Sequence, residues 1–177
     1  MIPEKLIQEE EELEEDKKVY PPFLVRQFRK GRERRKKNLP QSFSKITDFT
    51  QVIRTIWVIS NKPYQEQYWG KQGQWGDNYG ETTLTFFEDG ENVLDANKAG
   101  RVSMTTKQRD MLQKLYDMVF EYDTDQTNPE SRYGENDKAI VNDPKWQEIG
   151  KYAKIVYEEL SGDDLDAWEK SRALAKP

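Results

Sequence analysis

Charge along this chain is sorted into blocks, and that sorting limits how much of the chain can enter a hydrophobic core. Residues 1–18 carry 8 acidic and 3 basic side chains, a net of −5, and residues 26–37 carry 8 basic and 1 acidic, a net of +7. Only the apolar hinge Val19-Tyr-Pro-Pro-Phe-Leu-Val25 separates them. Runs of like charge repel one another and bury little apolar surface. The reading is therefore a charged, extended or partly helical arm over residues 1–45, followed by a single globular domain over 46–177. Within the hinge, Tyr20-Pro21-Pro22-Phe23 is expected to be extended, because each proline fixes its own φ and moves the preceding residue out of the helical region.

Beyond the arm, three stretches carry helical signals. Asp143 followed by Pro144 is an N-terminal signal, Gly162 is a stop, and Trp146, Ile149, Ala153, Val156 and Leu160 recur at spacings of three and four. From about Thr105 to Tyr122, Thr105 and Gln108 stand at capping-box spacing ahead of the stripe Met111, Leu112, Leu115, Met118, Val119 and Tyr122. Residues 48–60 also fit helical spacing, against the strand preference of their Val, Ile and Thr. A weakly anchored helix is expected over Asp163–Ala175. Short strands are expected over Tyr64–Trp69, near Asn92–Leu94 and over Arg101–Met104, and Glu81–Gly90 reads as either strand or short helix. The fold class that follows is α+β: a predominantly helical single domain with a small antiparallel sheet.

The chain contains no His and no Cys. Imidazole acid–base chemistry, thiol nucleophiles, disulfides and Cys/His zinc sites are excluded within it. There is no phosphate loop ending in Lys-Ser or Lys-Thr, and Gly70, Gly73, Gly76 and Gly80 do not give the dinucleotide fingerprint. Asp123-Thr-Asp-Gln-Thr-Asn128 begins like a calcium loop, but the sixth position is Asn128 where Gly is needed and the twelfth is Gly134 where a bidentate Glu is needed. Two distant acids meeting in the fold leave glycosidase-type chemistry open. The expectation is nevertheless a non-enzymatic protein with no cofactor and no metal. No apolar run approaches ~18 residues, and the N-terminus is acidic where a signal peptide is basic, so a soluble, cytoplasmic chain with no membrane partner is expected.

Two binding candidates remain. Tyr64–Tyr79 sets five aromatics among glycines and amides. Tyr64, Tyr68 and Trp69 are expected to be core, whereas Trp75 and Tyr79 are expected at the surface as partner anchors. The acids Glu88, Asp89, Glu91 and Asp95 follow. Together with the net −7 of residues 38–177 they suit a basic protein partner, although an ordinary polar turn at Asp89-Gly90 explains them as well. In the arm, Arg26, Arg29, Lys30, Arg32, Arg34, Arg35, Lys36 and Lys37 are either phosphate-contacting residues or a solvated run folded back on the acidic block.

Asn61-Lys-Pro-Tyr-Gln-Glu-Gln-Tyr-Trp69, Phe86-Phe-Glu-Asp-Gly-Glu-Asn-Val-Leu94 and Asn142-Asp-Pro-Lys-Trp-Gln-Glu-Ile149, in this order, resemble an uncharacterised family of small bacterial proteins of the immunity type. The resemblance covers about residues 48–160 and leaves the arm unmatched. It implies a compact α+β bacterial protein, in some cases encoded near toxins, with no catalytic residues to carry over. The leading expectation is an immunity or inhibitor protein binding a toxin or effector. The alternatives are a nucleic-acid-associated accessory protein using residues 26–37, and a structural subunit docking through Tyr20–Phe28.

Overall fold

A computed structural model describes residues 4–37, 48–70, 77–129 and 135–174, with side chains from residue 11 onward and without that of Lys36. The described residues form helices and connecting turns, with no strand. The chain divides into two compact units. One spans Ser44–Leu160, and the other joins Met1–Phe43 to Ser161–Pro177.

In the Ser44–Leu160 unit, α3 (Thr50–Ser60) is buried on nearly every side through Val52, Ile53, Thr55, Ile56, Trp57, Val58 and Ile59. A helix apolar all round is stable only inside a core, and burial here overrides the strand preference of its β-branched residues. Asp48 starts it by accepting the Thr50 amide at 2.9 Å. One residue later Asn61 accepts the Tyr64 amide at 2.9 Å and opens α4 (Lys62–Tyr68), so the strand expected over Tyr64–Trp69 is a helix. Asn61 and Pro63 are start signals that outweigh the local aromatics.

The expected segments at Glu81–Gly90 and Asn92–Leu94 are parts of a single helix, α5 (Tyr79–Lys98), whose Asn78 cap accepts the Glu81 amide. Its inward positions, Tyr79, Thr82, Thr83, Phe86, Gly90, Val93 and Leu94, keep helical spacing throughout. Gly90 is therefore no turn residue: a Cβ there would lie 3.3 Å from the Tyr116 ring, so glycine lets α6 (Thr106–Thr124) approach closely. Arg101–Met104 is not a strand either. Gly100 adopts φ 71, and the amides of Gly100 and Arg101 return to the carbonyls of Asn97 and Ala96, a Schellman closure of α5. The α+β assignment thus gives way to an all-helical fold, since the β-forming residues lie on helix faces that tertiary packing buries.

The remaining helical signals are realised. Thr105 and Gln108 form a reciprocal capping box on α6. After α7 (Asp137–Val141), Asp143 accepts the Lys145 amide at 2.9 Å and the Tyr122 hydroxyl at 2.8 Å, at the start of α8 (Pro144–Ser161). The helices meet around a buried amide. Gln65 Nε2 donates to the carbonyls of Val58 and Ile59 at 2.7 and 2.9 Å, and Gln65 Oε1 accepts from Trp146 Nε1 at 3.2 Å.

In the other unit, α1 (Glu4–Val19) and α2 (Pro22–Lys36) form a hairpin turned at Tyr20-Pro21. Pro21 is extended, at φ −70 and ψ 164, whereas Pro22 and Phe23 already belong to α2, because proline suits a first helical turn. Tyr20 meets Phe28 edge-on at 5.0 Å, and Arg32 pairs with Asp16. Asp163 accepts the Phe23 amide at 2.9 Å, ahead of α9 (Leu165–Leu174).

Gln65 is 2% exposed, so its removal leaves the Ile59 carbonyl and the Trp146 indole N–H without this partner, while the Val58 carbonyl keeps only the Asn61 amide. Gln65→Leu should lower unfolding free energy by about 2–4 kcal/mol, read from urea denaturation followed by far-UV circular dichroism.

Candidate functional site

The expected anchors do not gather at a surface loop. Trp75 lies outside the described residues. Tyr79 is 5% exposed, and its ring packs on Trp146 at 5.2 Å, Trp69 at 6.1 Å and Tyr122 at 6.3 Å. Its hydroxyl donates to Asp123 at 2.8 Å. The Asp-Asn flank that read as a loop is the cap of α5, and the cap turns Tyr79 inward. Tyr79 is thus a core residue and not a surface anchor.

The acids fare differently. Glu88, Glu91 and Asp95 follow at spacings of three and four along α5 and are exposed. Asp89 is half-buried at the edge of the inward face, without an ion pair or hydrogen bond among the described residues. Burial, and secondarily the Glu88 charge, raise its carboxyl above the usual range. Asp95 has only an exposed contact with Lys98 at 3.7 Å, a geometry of little energetic weight.

Beside these acids lies an aromatic group that sequence reasoning missed. Helices α5 and α6 run antiparallel, which brings Phe87 to 5.4 Å from Tyr116 and 6.1 Å from Phe120. Phe120 is 51% exposed, and Leu84, one turn before Phe87, is 55% exposed. Asp117 and Glu121 extend the acidic border along α6 and are exposed. The Tyr116 hydroxyl is raised first by burial and then by the charges of Glu91 and Asp117, so two acids crowd the phenol. Glu88, Glu91, Asp117 and Glu121 form no ion pair among the described residues. A signal was present in the sequence: Leu84 and Phe120 are large apolar residues off the buried stripes of their helices.

All eight candidate cations of the arm fall on or just after α2. Arg29 pairs with Glu33 at 3.3 Å and Arg32 with Asp16, whereas Arg26 reaches Asp163 only at 3.8 Å. Lys30, Arg34 and Lys37 share one exposed face, with Arg35 beside them. At the calcium-like segment, Asp125 accepts the Thr127 amide and hydroxyl at 2.9 and 2.7 Å and meets Lys145 at 3.4 Å. The Thr127 amide, then its hydroxyl, hold that carboxyl below the usual range. The described residues contain no acidic cluster arranged to hold a metal ion and no helix long and apolar enough to cross a membrane.

Comparison with protein-family models, curated proteins and solved structures gives no match.

Two pH responses follow. Burial, then the hydrogen bonds to Asp123 and Asp143, push the Tyr79 and Tyr122 phenols far above their ordinary value of 10.0. The fold favours their neutral forms, so this stabilisation is complete below about pH 10 and is lost as pH rises further. Spectrophotometric titration of the nine tyrosines should show these two ionising only with unfolding. Asp89 also has a raised value, so its favourable protonated state is lost as pH rises through that value. Asp89→Asn should therefore raise Tm at neutral pH, with the gain vanishing below the usual carboxylate range.

Proposed function

We propose that this chain is a non-enzymatic binding protein of the immunity or inhibitor kind, which engages a basic protein partner through the acidic and aromatic face of α5 and α6. One observation carries the reading: the exposed Leu84 and Phe120 stand with the half-buried Phe87 and Tyr116 on one side of the α5–α6 pair, bordered by Glu88, Glu91, Asp117 and Glu121, acids without cationic partners among the described residues. Large apolar side chains grouped at a surface mark interaction sites, and aromatics are the residues whose desolvation dominates interface energy. Uncompensated acids around them accelerate encounter with a cationic surface and exclude acidic competitors. A toxin or effector with a basic surface matches this chemistry, in the cytoplasm, where a cysteine-free chain is at home.

The other readings receive less support. Arg32 is engaged by the part-buried Asp16 of the same hairpin, which weakens the basic run as a phosphate-binding strip. Tyr20 and Phe28 pack on each other and Leu24 is 1% exposed, which weakens Tyr20–Phe28 as a free docking peptide.

Affinity capture from the native host, comparing the wild-type chain with a Phe120→Ser, Glu88→Lys, Glu91→Lys variant, tests the proposal. The wild type should retain a basic protein that high salt releases, and the variant should lose it by about a hundredfold or more, the scale of one aromatic anchor and two steering charges. Because the three positions are exposed, thermal stability should be nearly unchanged. Identical captured proteins on both baits would end this reading.

A further inference from the structure

The unit that joins the α1–α2 hairpin to α9 contains an open groove of about 450 Å³. Its apolar surface is made by Tyr20, Val25 and Trp168, and each helix adds one cation: Lys17 from α1, Arg26 from α2 and Arg172 from α9. No carboxylate lines it, in a chain whose net charge is −5. We propose that this groove binds an aromatic phosphomonoester, the chemistry shared by a free mononucleotide and the 5′-phosphorylated end of a nucleic-acid strand.

The cations are placed and incompletely neutralised. Arg172 lies over the Trp168 ring at 4.6 Å, which holds its guanidinium at the groove while leaving the N–H donors of its edge available. Arg26 stands 5.9 Å from the centre of the Phe23 ring and reaches Asp163 only at 3.8 Å, with its side chain 60% exposed. Lys17 has an exposed pair with Glu14 at 2.6 Å, of the kind that contributes little and exchanges readily. Three like charges lining one groove from three helices favour an anion there over a cation. Two planar guanidinium groups and an ammonium match the double charge and three oxygens of a phosphomonoester better than the single charge of a carboxylate. The volume falls within the range of about 300–1,000 Å³ that accepts small organic ligands, and the tyrosine and tryptophan walls suit a flat ring.

Calorimetric titration of the full chain with adenosine monophosphate, adenosine, inorganic phosphate and a 5′-phosphorylated deoxytrinucleotide tests this. Adenosine monophosphate should bind saturably, with adenosine and phosphate each weaker by about tenfold or more. Arg172→Glu and Lys17→Glu should each weaken it by about tenfold or more, whereas Lys170→Glu, an equal charge change on α9 outside the groove, should leave it within about twofold. Circular dichroism confirms folding of each variant. Tighter binding of the trinucleotide, lost with the same substitutions, identifies the end of a strand as the source; equal affinity identifies the free nucleotide. Absence of saturable binding by both phosphomonoesters, or equal weakening by Lys170→Glu, overturns the proposal.

Discussion

The Ser44–Leu160 unit turns on one buried side-chain amide. Gln65 donates to the Ile59 carbonyl and to the Val58 carbonyl, which the Asn61 amide also reaches at the end of α3, and accepts from the Trp146 indole. A buried polar group is tolerable only when its bonds are made, so this exchange determines how α3 hands over to α4 and where α8 lies against both. Trp146 in turn meets Trp69, Tyr79 and Tyr122, and the hydroxyls of those two tyrosines end on Asp123 and Asp143. The orientation of α5 and α6 descends from the same centre.

The outward face of that helix pair has a different character. Inside, Trp69, Tyr79, Tyr122 and Trp146 pack ring against ring; outside, Leu84 and Phe120 are more than half exposed. Neither exposure favours the isolated fold. Departures from the rules that govern the rest of a molecule concentrate where binding is selected, and here they lie on one side of one helical hairpin. The cationic groove of the other unit has the same logic with the sign reversed.

Local grammar was readable wherever a cap or a stripe sufficed. Thr105 with Gln108, Asp143 with Pro144, and the stripe from Trp146 to Leu160 were legible, because such signals act within a turn or two of the chain. The small sheet was a misreading with a physical cause. Thr82, Thr83, Phe86 and Val93 favour strands in isolation, and Asp89-Gly90 favours a turn, but burial against α3 and α6 outweighs preferences of less than about 1 kcal/mol per residue. Of the candidate site, the acids Glu88, Glu91 and Asp95 were legible as charge. Their aromatic companions were not, since Phe87 and Phe120 are 33 positions apart in the chain and meet only across the hairpin.

By itself, then, the sequence determined the exclusion of thiol and imidazole chemistry, the opposed charge blocks, and the starts of the long helices, all of which depend on residue identity or nearest neighbours. Only the tertiary structure decided that Tyr79 is core and Phe120 is surface, that Gly90 admits Tyr116, and that Lys17, Arg26 and Arg172 share one groove. The reason is that exposure and convergence belong to pairs of surfaces: a residue is buried or presented by what packs across from it, and that partner lies elsewhere in the chain.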